Sequence, residues 1–417
     1  MAKRPVAIAL FSGAGGLSLG FERAGFDVRV ATDLDKAVEL TYRENNRGTA
    51  FIQGNIKDLH GEDLLDAAGL QRGDVDIVFG GPPCQGFSLA NQQSRFLDNP
   101  NNHLFREFIR IVGELQPRWF LMENVVGLLR MHHGLIVQEI VEAFRSLDLD
   151  YDEVNVEVLR AVDHGVPQVR ERVFFIGNRE GTPFWYPNAT HQPLSPVEIL
   201  SRRGNIRRYV TVREAIYDLP PLGDSFGEDE SIYDDSRPIS PYAKTLRNPH
   251  GILWNHRATK NNEDVRERYR YIKPGENWSS IPVELMKKWR SIPPEEIAKV
   301  SHSSLYKRLD PEEPSITVAN FRKSMFIHPW EDRGLTVREA ARLQSFPDYY
   351  RFLGSLGAQQ QQVANAVPPL LGQAVASQIL AAMEGRLPIK TTPTRRQPLV
   401  LAYASSLATE VCEECPS

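Results

Sequence analysis

Over its first 180 residues the chain alternates short apolar runs with stretches whose apolar positions recur at helical spacing. The runs VAIAL (6–10), DVRVA (27–31), DIVF (76–79), WFLM (119–122), NVEVL (155–159) and RVFFI (172–176) read as strands. Between them LSLGFERAG (17–25), HLFREFIRIVGEL (103–115) and LIVQEIVEAFRSL (135–147) read as helices. Strands that are apolar on both sides and alternate with helices predict an α/β fold. It is a doubly wound, mostly parallel sheet covered on both faces. After Gly177 the pattern loosens, and proline, glycine and polar residues multiply between about 181 and 330. That texture predicts a smaller, irregular second domain. The phrase TVREA occurs at 211–215 and again at 336–340, and each Thr with a Glu three residues on predicts a capped helix start. Helical periodicity returns in PPLLGQAVASQILAAMEG (368–385), which is expected to pack back on the sheet and make the irregular part an insertion. The expected divisions are 1–187, 188–350, 351–386 and a tail over 387–417.

Composition adds limits. A length of 417 residues favours two domains over one core. Contents of 41% hydrophobic and 24% charged residues are those of an ordinary globular protein. No uninterrupted apolar run approaches the roughly 20 residues that span a bilayer, and the start MAKRPVAIALFSG reads as a first strand, not a leader. Three cysteines, Cys84, Cys412 and Cys415, make no disulfide framework, so a reducing cytoplasm is expected. The CxxC of the tail has no second half, and no metal site is expected. The net charge of −4 speaks against a general nucleic-acid binder, yet residues 201–330 hold 22 Lys and Arg against 18 Asp and Glu. Either a local polyanion-binding face or a surface of mixed charge accounts for that excess.

Chemistry concentrates where strands end. The first strand runs into FSGAGGLSLGF (11–21), whose Gly13, Gly15 and Gly16 let the backbone pass close to a ligand and open a helix. The spacing is not that of a dinucleotide-binding loop. Asp33 ends the second strand, where a carboxylate meets a ribose diol in doubly wound sheets; a turn with a capping Asp is the alternative. GGPPCQGFS (80–88) closes the fourth strand. Two prolines restrict the backbone before Cys84, which suits a mounted nucleophile or a tight turn around a small buried thiol. Glu123, in MENV (122–125), ends the fifth strand at the same edge and is either an acid facing Cys84 or a turn cap. In QVRERVFFIG (168–177) the alternation of Gln168, Arg170 and Arg172 points all three to one face, for anion or carbonyl recognition or for salt bridges at an edge.

Taken together and in this order, FSGAGG, GGPPCQGFS, MENV, QVRERVF, LTVREAARLQSFPD (335–348) and QVANAVPPLLGQAVA (362–376) resemble the cytosine-C5 DNA methyltransferases of bacterial restriction-modification systems. The resemblance covers most of the chain outside residues 188–310. It implies a Rossmann-like domain that binds S-adenosyl-L-methionine. Phe11, Ser12, Gly13, Gly15, Gly16, Asp33, Leu34, Asn55, Ile56, Pro83 and Leu104 would line the cofactor site, and Asn365 and Val367 would close it. Cys84 would attack C6 of a cytosine flipped out of double-stranded DNA. Glu123 would stabilise the ring, Arg172 would contact O2, Arg170 and Gln168 would support the site, and Asn124 would orient the Pro-Cys loop. Residues 85–103 would form a loop closing over the base, and residues 188–350 the target-recognition domain. RRGNIRRY (202–209), WNHRATK (254–260), VRERYRYIKPGENW (265–278) and KKWR (287–290) would supply DNA contacts there. A separate cognate endonuclease, a monomeric state and a cytoplasmic location complete the implication.

Three positions depart from the family pattern. Ala9 stands where an acidic residue often precedes LF, Asn55 where Asp is common, and Asn101 where Arg is common. An amide oxygen still accepts a hydrogen bond, so altered cofactor contacts are expected at Asn55. The rival readings are an RNA cytosine-C5 methyltransferase and a non-catalytic DNA-binding protein on the same scaffold. An adenine-N6 enzyme would carry an aromatic residue where this chain has Cys84.

Overall fold

The computed structural model describes residues 3–83, 104–193, 206–290, 305–319, 321 and 326–387. Cys84, the expected closing loop 85–103 with Asn101, part of RRGNIRRY and the tail cysteines lie outside the described residues, as do the side chains of KKWR. The chain forms two compact units: Met1–Arg160 with Glu171–Asn188 and Gly372–Ser417, and Ala161–Arg170 with Ala189–Leu371.

The first unit is built on a seven-stranded sheet. Its strands are β1 (Val6–Leu10), β2 (Asp27–Asp33), β3 (Ala50–Gln53), β4 (Ile77–Gly80), β5 (Trp119–Val125) and β6 (Val154–Arg160). The seventh, β8 (Glu171–Asn178), follows β7 (Gln168–Val169), a short strand of the second unit. The order β3-β2-β1-β4-β5-β8-β6 places a topological switch between β1 and β4. All five residues of β1 and all four of β4 are buried, so both sheet faces are covered. One layer comes from α3 (Gly61–Ala68), α4 (Leu104–Leu115) and α5 (Leu135–Arg145), whose apolar faces join Ile8, Leu10, Val78, Phe120 and Phe175 in one core. On α1 (Gly16–Ala24), Phe21 stacks on Phe79 of β4. Helix Pro369–Met383 crosses α1 so closely that a β-carbon on Gly20 would lie 2.6 Å from the main-chain N of Gln373.

Two features differ from the sequence expectation. Strand β3 and the helices α2 (Lys36–Asn45) and α3 are short or polar, and the apolar pattern does not reveal them. More important, β8 runs antiparallel to both β5 and β6. The link from β6 to β8 is only ten residues, too short for the crossover that a parallel return needs.

The second unit is assembled from short pieces. A hairpin pairs Gly227–Ile232 with Ile252–Arg257, and Ser315–Ile316 pairs with β7. Both TVREA phrases begin helices, Val212–Ile216 and Val337–Leu343, and each carries a complete capping box. An arginine joins them: Arg342 Nη1 donates to the carbonyl of Ala215 at 3.0 Å. Arg342 is also bidentate to Asp348 at 2.9 and 2.6 Å and pairs with Asp218, all three side chains being buried. Arg333 clamps the buried Glu339 with bonds of 2.9 and 2.7 Å. Arg338 donates to the carbonyls of Trp254, Pro347 and Tyr350.

Much of the basic charge of residues 201–330 is paired, Arg308 in the interior and Arg208, Arg213, Arg257 and Arg270 with partners near the surface. Arg208, Arg213, Arg247, Arg257, Arg266, Arg270 and Arg308 are each paired with a carboxylate. The stretch Leu356–Met383 is apolar enough on average to cross a membrane. It consists, however, of two helices, Leu356–Asn365 and Pro369–Met383, and over half of its apolar window is buried.

Candidate active site

The carboxyl ends of β1, β2, β4 and β5 meet at the switch point, where open α/β sheets bind ligands. Gly80 is the last residue of β4 and pairs with Leu10 on one side and Met122 on the other. Gly81, the buried Pro82 and the half-buried Pro83 follow. Asn124 fastens this segment, its Nδ2 donating to the Pro82 carbonyl at 3.1 Å while its Oδ1 accepts from Val125 N at 2.9 Å. The chain is thus pinned two residues before Cys84.

Beside it stands an ion pair that the sequence did not disclose. Arg172 Nε lies 2.7 Å from Glu123 Oε1, with side-chain exposures of 13% and 9%. Because β8 is antiparallel to β5, Val125 faces Arg172 and Glu123 faces Phe174, so the two charged residues are diagonal neighbours on one face. A parallel arrangement would not have brought MENV and RVFF together in this way. Burial draws the Arg172 guanidinium below its ordinary range and Glu123 opposes that shift. Enclosed charges of opposite sign interact much more strongly than exposed ones.

The glycine loop occupies the adjoining strand end. Gly13 and Gly15 have φ of +53° and +87°, which lets the chain turn sharply from β1 into α1. Phe11 also takes a positive φ, +51°, and its half-buried ring packs on the main core. Asp33 Oδ2 accepts from Gly13 N at 2.8 Å and Oδ1 from Asp35 N at 3.0 Å. The helix cap of α2 is Asp35, not Asp33. Burial raises the Asp33 pKa against the backbone bonds that lower it. A carboxylate has about four acceptor positions, so Asp33 keeps acceptor capacity for a ligand hydroxyl beside its backbone bonds. Ser12 Oγ and Thr32 Oγ1 are buried without a hydrogen-bond partner among the described residues, and Leu34 is 64% exposed at the end of β2. Open glycine turns, a carboxylate with acceptor capacity, unmet hydroxyls and an exposed apolar side chain fit a nucleoside-like methyl donor.

The remaining expected residues are distributed differently. Asn55 is exposed, and its Oδ1 accepts from Lys57 N at 3.2 Å, so its acceptor already serves as a cap. Ile56 is buried in the apolar core, and Leu104 opens α4 against the same core. Gln168 and Arg170 belong to the second unit and are enclosed. Gln168 bonds to Leu343 O, Gln344 and Val318 N, and Arg170 to the carbonyls of Val318 and Ala364. Their alternation does mark a buried face, but what they recognise there is main chain. Asn365 ends a helix of that unit and accepts from Gln361, and Val367 is buried in it. Among the described residues no group of three or more His, Cys, Asp or Glu side chains is placed to hold a metal ion.

Comparison with known proteins agrees with this arrangement. The family model of the C-5 cytosine-specific DNA methylases matches residues 6–381. The Type II methyltransferase M1.HphI of Haemophilus parahaemolyticus is 38% identical over 375 residues, covering 89% of this chain and 86% of that one. The Type II methyltransferase M.DdeI of Desulfomicrobium norvegicum is 36% identical over 386 residues, covering 89% and 88%. Among solved structures, a prophage-encoded E. coli protein assigned as a DNA modification methyltransferase superposes with a TM-score of 0.70 at 29% identity, covering 91% and 99% of the two chains. A match over nearly the whole chain, on a sheet whose switch point carries the glycine loop, the pinned Pro-Pro segment and the Glu123–Arg172 pair, shows that the chain belongs to the C-5 cytosine-specific DNA methylase family and is a DNA (cytosine-5-)-methyltransferase.

Proposed function

We propose that the protein takes its methyl group from S-adenosyl-L-methionine and places it on C5 of a cytosine turned out of double-stranded DNA, using Cys84 as nucleophile. The observation that carries this reading is the enclosed 2.7 Å pair of Glu123 and Arg172 beside the pinned approach to Cys84. Cytosine C5 is a poor nucleophile until a group adds at C6, and that addition puts negative charge into the ring. A carboxyl group hydrogen-bonded to the ring edge and a fixed guanidinium beside it stabilise that charge at little reorganisation cost.

The Cys84 thiolate adds to C6. Glu123, protonated from solvent when the base binds, donates to N3 and accepts from the exocyclic amine, and Arg172 holds Glu123 and reaches O2. Asn124 fixes the segment that delivers the thiol. After methylation, transfer of the C5 proton to water and expulsion of the Cys84 thiolate restore the aromatic ring and the enzyme. When bound, S-adenosyl-L-methionine supplies an electrophilic methyl group on a sulfonium centre. Phe11, Ser12, the glycine turns at Gly13, Gly15 and Gly16, Asp33 and Leu34 would hold it. C5 and C6 lie inside the stacked duplex, so the base must leave the stack.

The names of the relatives, Type II methyltransferases, support a place in a restriction-modification system; a cognate endonuclease acting separately, a monomeric state and a cytoplasmic location belong to the same proposal. Expressing the chain in a methylation-free bacterial host and mapping 5-methylcytosine tests this. One short duplex sequence methylated throughout is expected. Methylation of tRNA alone, or of neither nucleic acid, would contradict it.

A further inference from the structure

The two glycines at the end of β4 meet different obstacles. A β-carbon on Gly80 would lie 2.1 Å from the main-chain oxygen of Leu10, an immovable part of the neighbouring strand. A β-carbon on Gly81 would lie 2.6 Å from Glu123 Oε2, the far end of a side chain, with the Glu123 main-chain oxygen at 3.7 Å. The backbone at Gly81 has little room to retreat. Gly80 is held in register between β1 and β5, and Asn124 ties down the Pro82 carbonyl at 3.1 Å. The other carboxylate oxygen is committed to Arg172 at 2.7 Å.

We infer that Gly81 is a positioning residue for the methyl-transfer reaction: the missing side chain lets the Glu123 carboxylate lie across the end of β4, one oxygen on Arg172 and the other past Gly81. The inference rests on the proposed role of Glu123 in stabilising the cytosine ring. Gly80 and Gly81 then have separate duties. Gly80 permits the sheet to form, and Gly81 sets where the carboxylate of a finished sheet comes to rest.

A methyl group at residue 81 would push Oε2 aside while leaving the strands paired. Displacement of a reacting-site group by about 1 Å costs on the order of 10²-fold in rate. The test compares wild type, Gly81→Ala, Glu123→Gln and the double variant in single-turnover methyl transfer to duplex DNA, with thermal melts and DNA KM alongside. Gly81→Ala is expected to melt within a few degrees of wild type and keep its KM. Its rate should fall on the order of 10²-fold. In the Glu123→Gln background the same change should cost less than about threefold, because the group it displaces no longer carries the function.

An equal rate loss in both backgrounds would overturn the inference, since Gly81 would then act through the Cys84 segment. Failure of Gly81→Ala to fold, or a full wild-type rate, would overturn it as well. A wild-type rate in Glu123→Gln alone would instead remove the proposed role of Glu123.

Discussion

The two units fill their interiors with different mixtures, the second adding buried ion pairs to its apolar side chains. The first buries Ile8, Leu10, Val78, Phe120, Met122 and Phe175 with the apolar faces of three helices. In the second, Arg333, Arg338, Glu339, Arg342, Asp218 and Asp348 lie among the buried residues, beside small apolar clusters such as Tyr269, Ile272, Tyr306 and Ile327. An apolar core tolerates loose pairing because dispersion and hydrophobic burial are non-directional. A buried ionic core does not, because each charge needs its own partner in a fixed geometry. The difference also locates the chemistry, since the proposed catalytic pair stands on the rigid strand ends of the apolar unit.

The largest effect that separates the two is expected at Arg342. Arg342→Leu removes the cation shared by the buried Asp218 and Asp348, leaving Asp218 to Arg247 and Asp348 to Tyr233 and Arg338, which costs about 3–5 kcal/mol. Hydrogen exchange read by mass spectrometry should show protection lost throughout residues 206–290 and 326–371, with β1, β4 and β5 unchanged. Equal loss in both units would mean that their stabilities are not separable.

Acid should divide them next. Burial lowers the His328 pKa from 6.5 to about 3, and burial lowers that of His256 too. Unfolded, both imidazoles take a proton as the pH falls through about 6.5; folded, both are protonated less readily, and His328 stays neutral down to about pH 3. The unfolded state then binds more protons, so stability declines on acidification, by about 2 kcal/mol for His328 between pH 6.5 and 5. Glu339 adds to the loss below about pH 4.5. Burial would raise its pKa, but Arg333 and His328 outweigh burial and hold it far below the ordinary range. Asp33 of the first unit has the opposite sign, because a carboxyl raised by burial is relieved by acid. Exchange at pH 7 and pH 5 should therefore show the second unit opening first, and simultaneous opening would refute the division.

The two TVREA helices give a finer test. Thr211 and Thr336 both close capping boxes. Thr336 is fully buried, and its Oγ1 also meets His256 Nδ1 at 3.2 Å. Replacing a capping threonine by alanine costs about 1 kcal/mol, and the loss should approach 2 at Thr336, where a buried histidine nitrogen is orphaned. Denaturant melts of the two variants check the ranking.

The same contrast explains what the sequence could reveal. The apolar runs of β1, β4 and β5 were readable because burial on both faces leaves a signal in nearly every residue, and β2, β6 and β8 because valine and other apolar residues recur along them. The capped helix starts at Thr211 and Thr336 were readable because their chemistry is local. The direction of β8 was not, since a strand reads the same either way; the resemblance brought Glu123 and Arg172 to one site, but not their direct ion pair. Nor did charge counting reveal that Arg308, Arg333, Arg338 and Arg342 face inward, because a count does not distinguish a buried pair such as Arg333–Glu339 from an exposed one, and other partners are main-chain carbonyls. Gln168 and Arg170 illustrate the same limit: their alternation was visible and their targets were not.

The claim that the chemistry belongs to the Cys84 thiol, acting together with Glu123, is tested most directly by Cys84→Ala. Purified wild type and variant would be incubated with S-adenosyl-L-methionine and duplex DNA containing the mapped sequence, and 5-methylcytosine and DNA binding measured together. The account predicts no 5-methylcytosine from Cys84→Ala, with DNA affinity within a few-fold of wild type. Any sustained methylation of that duplex by the variant would contradict it.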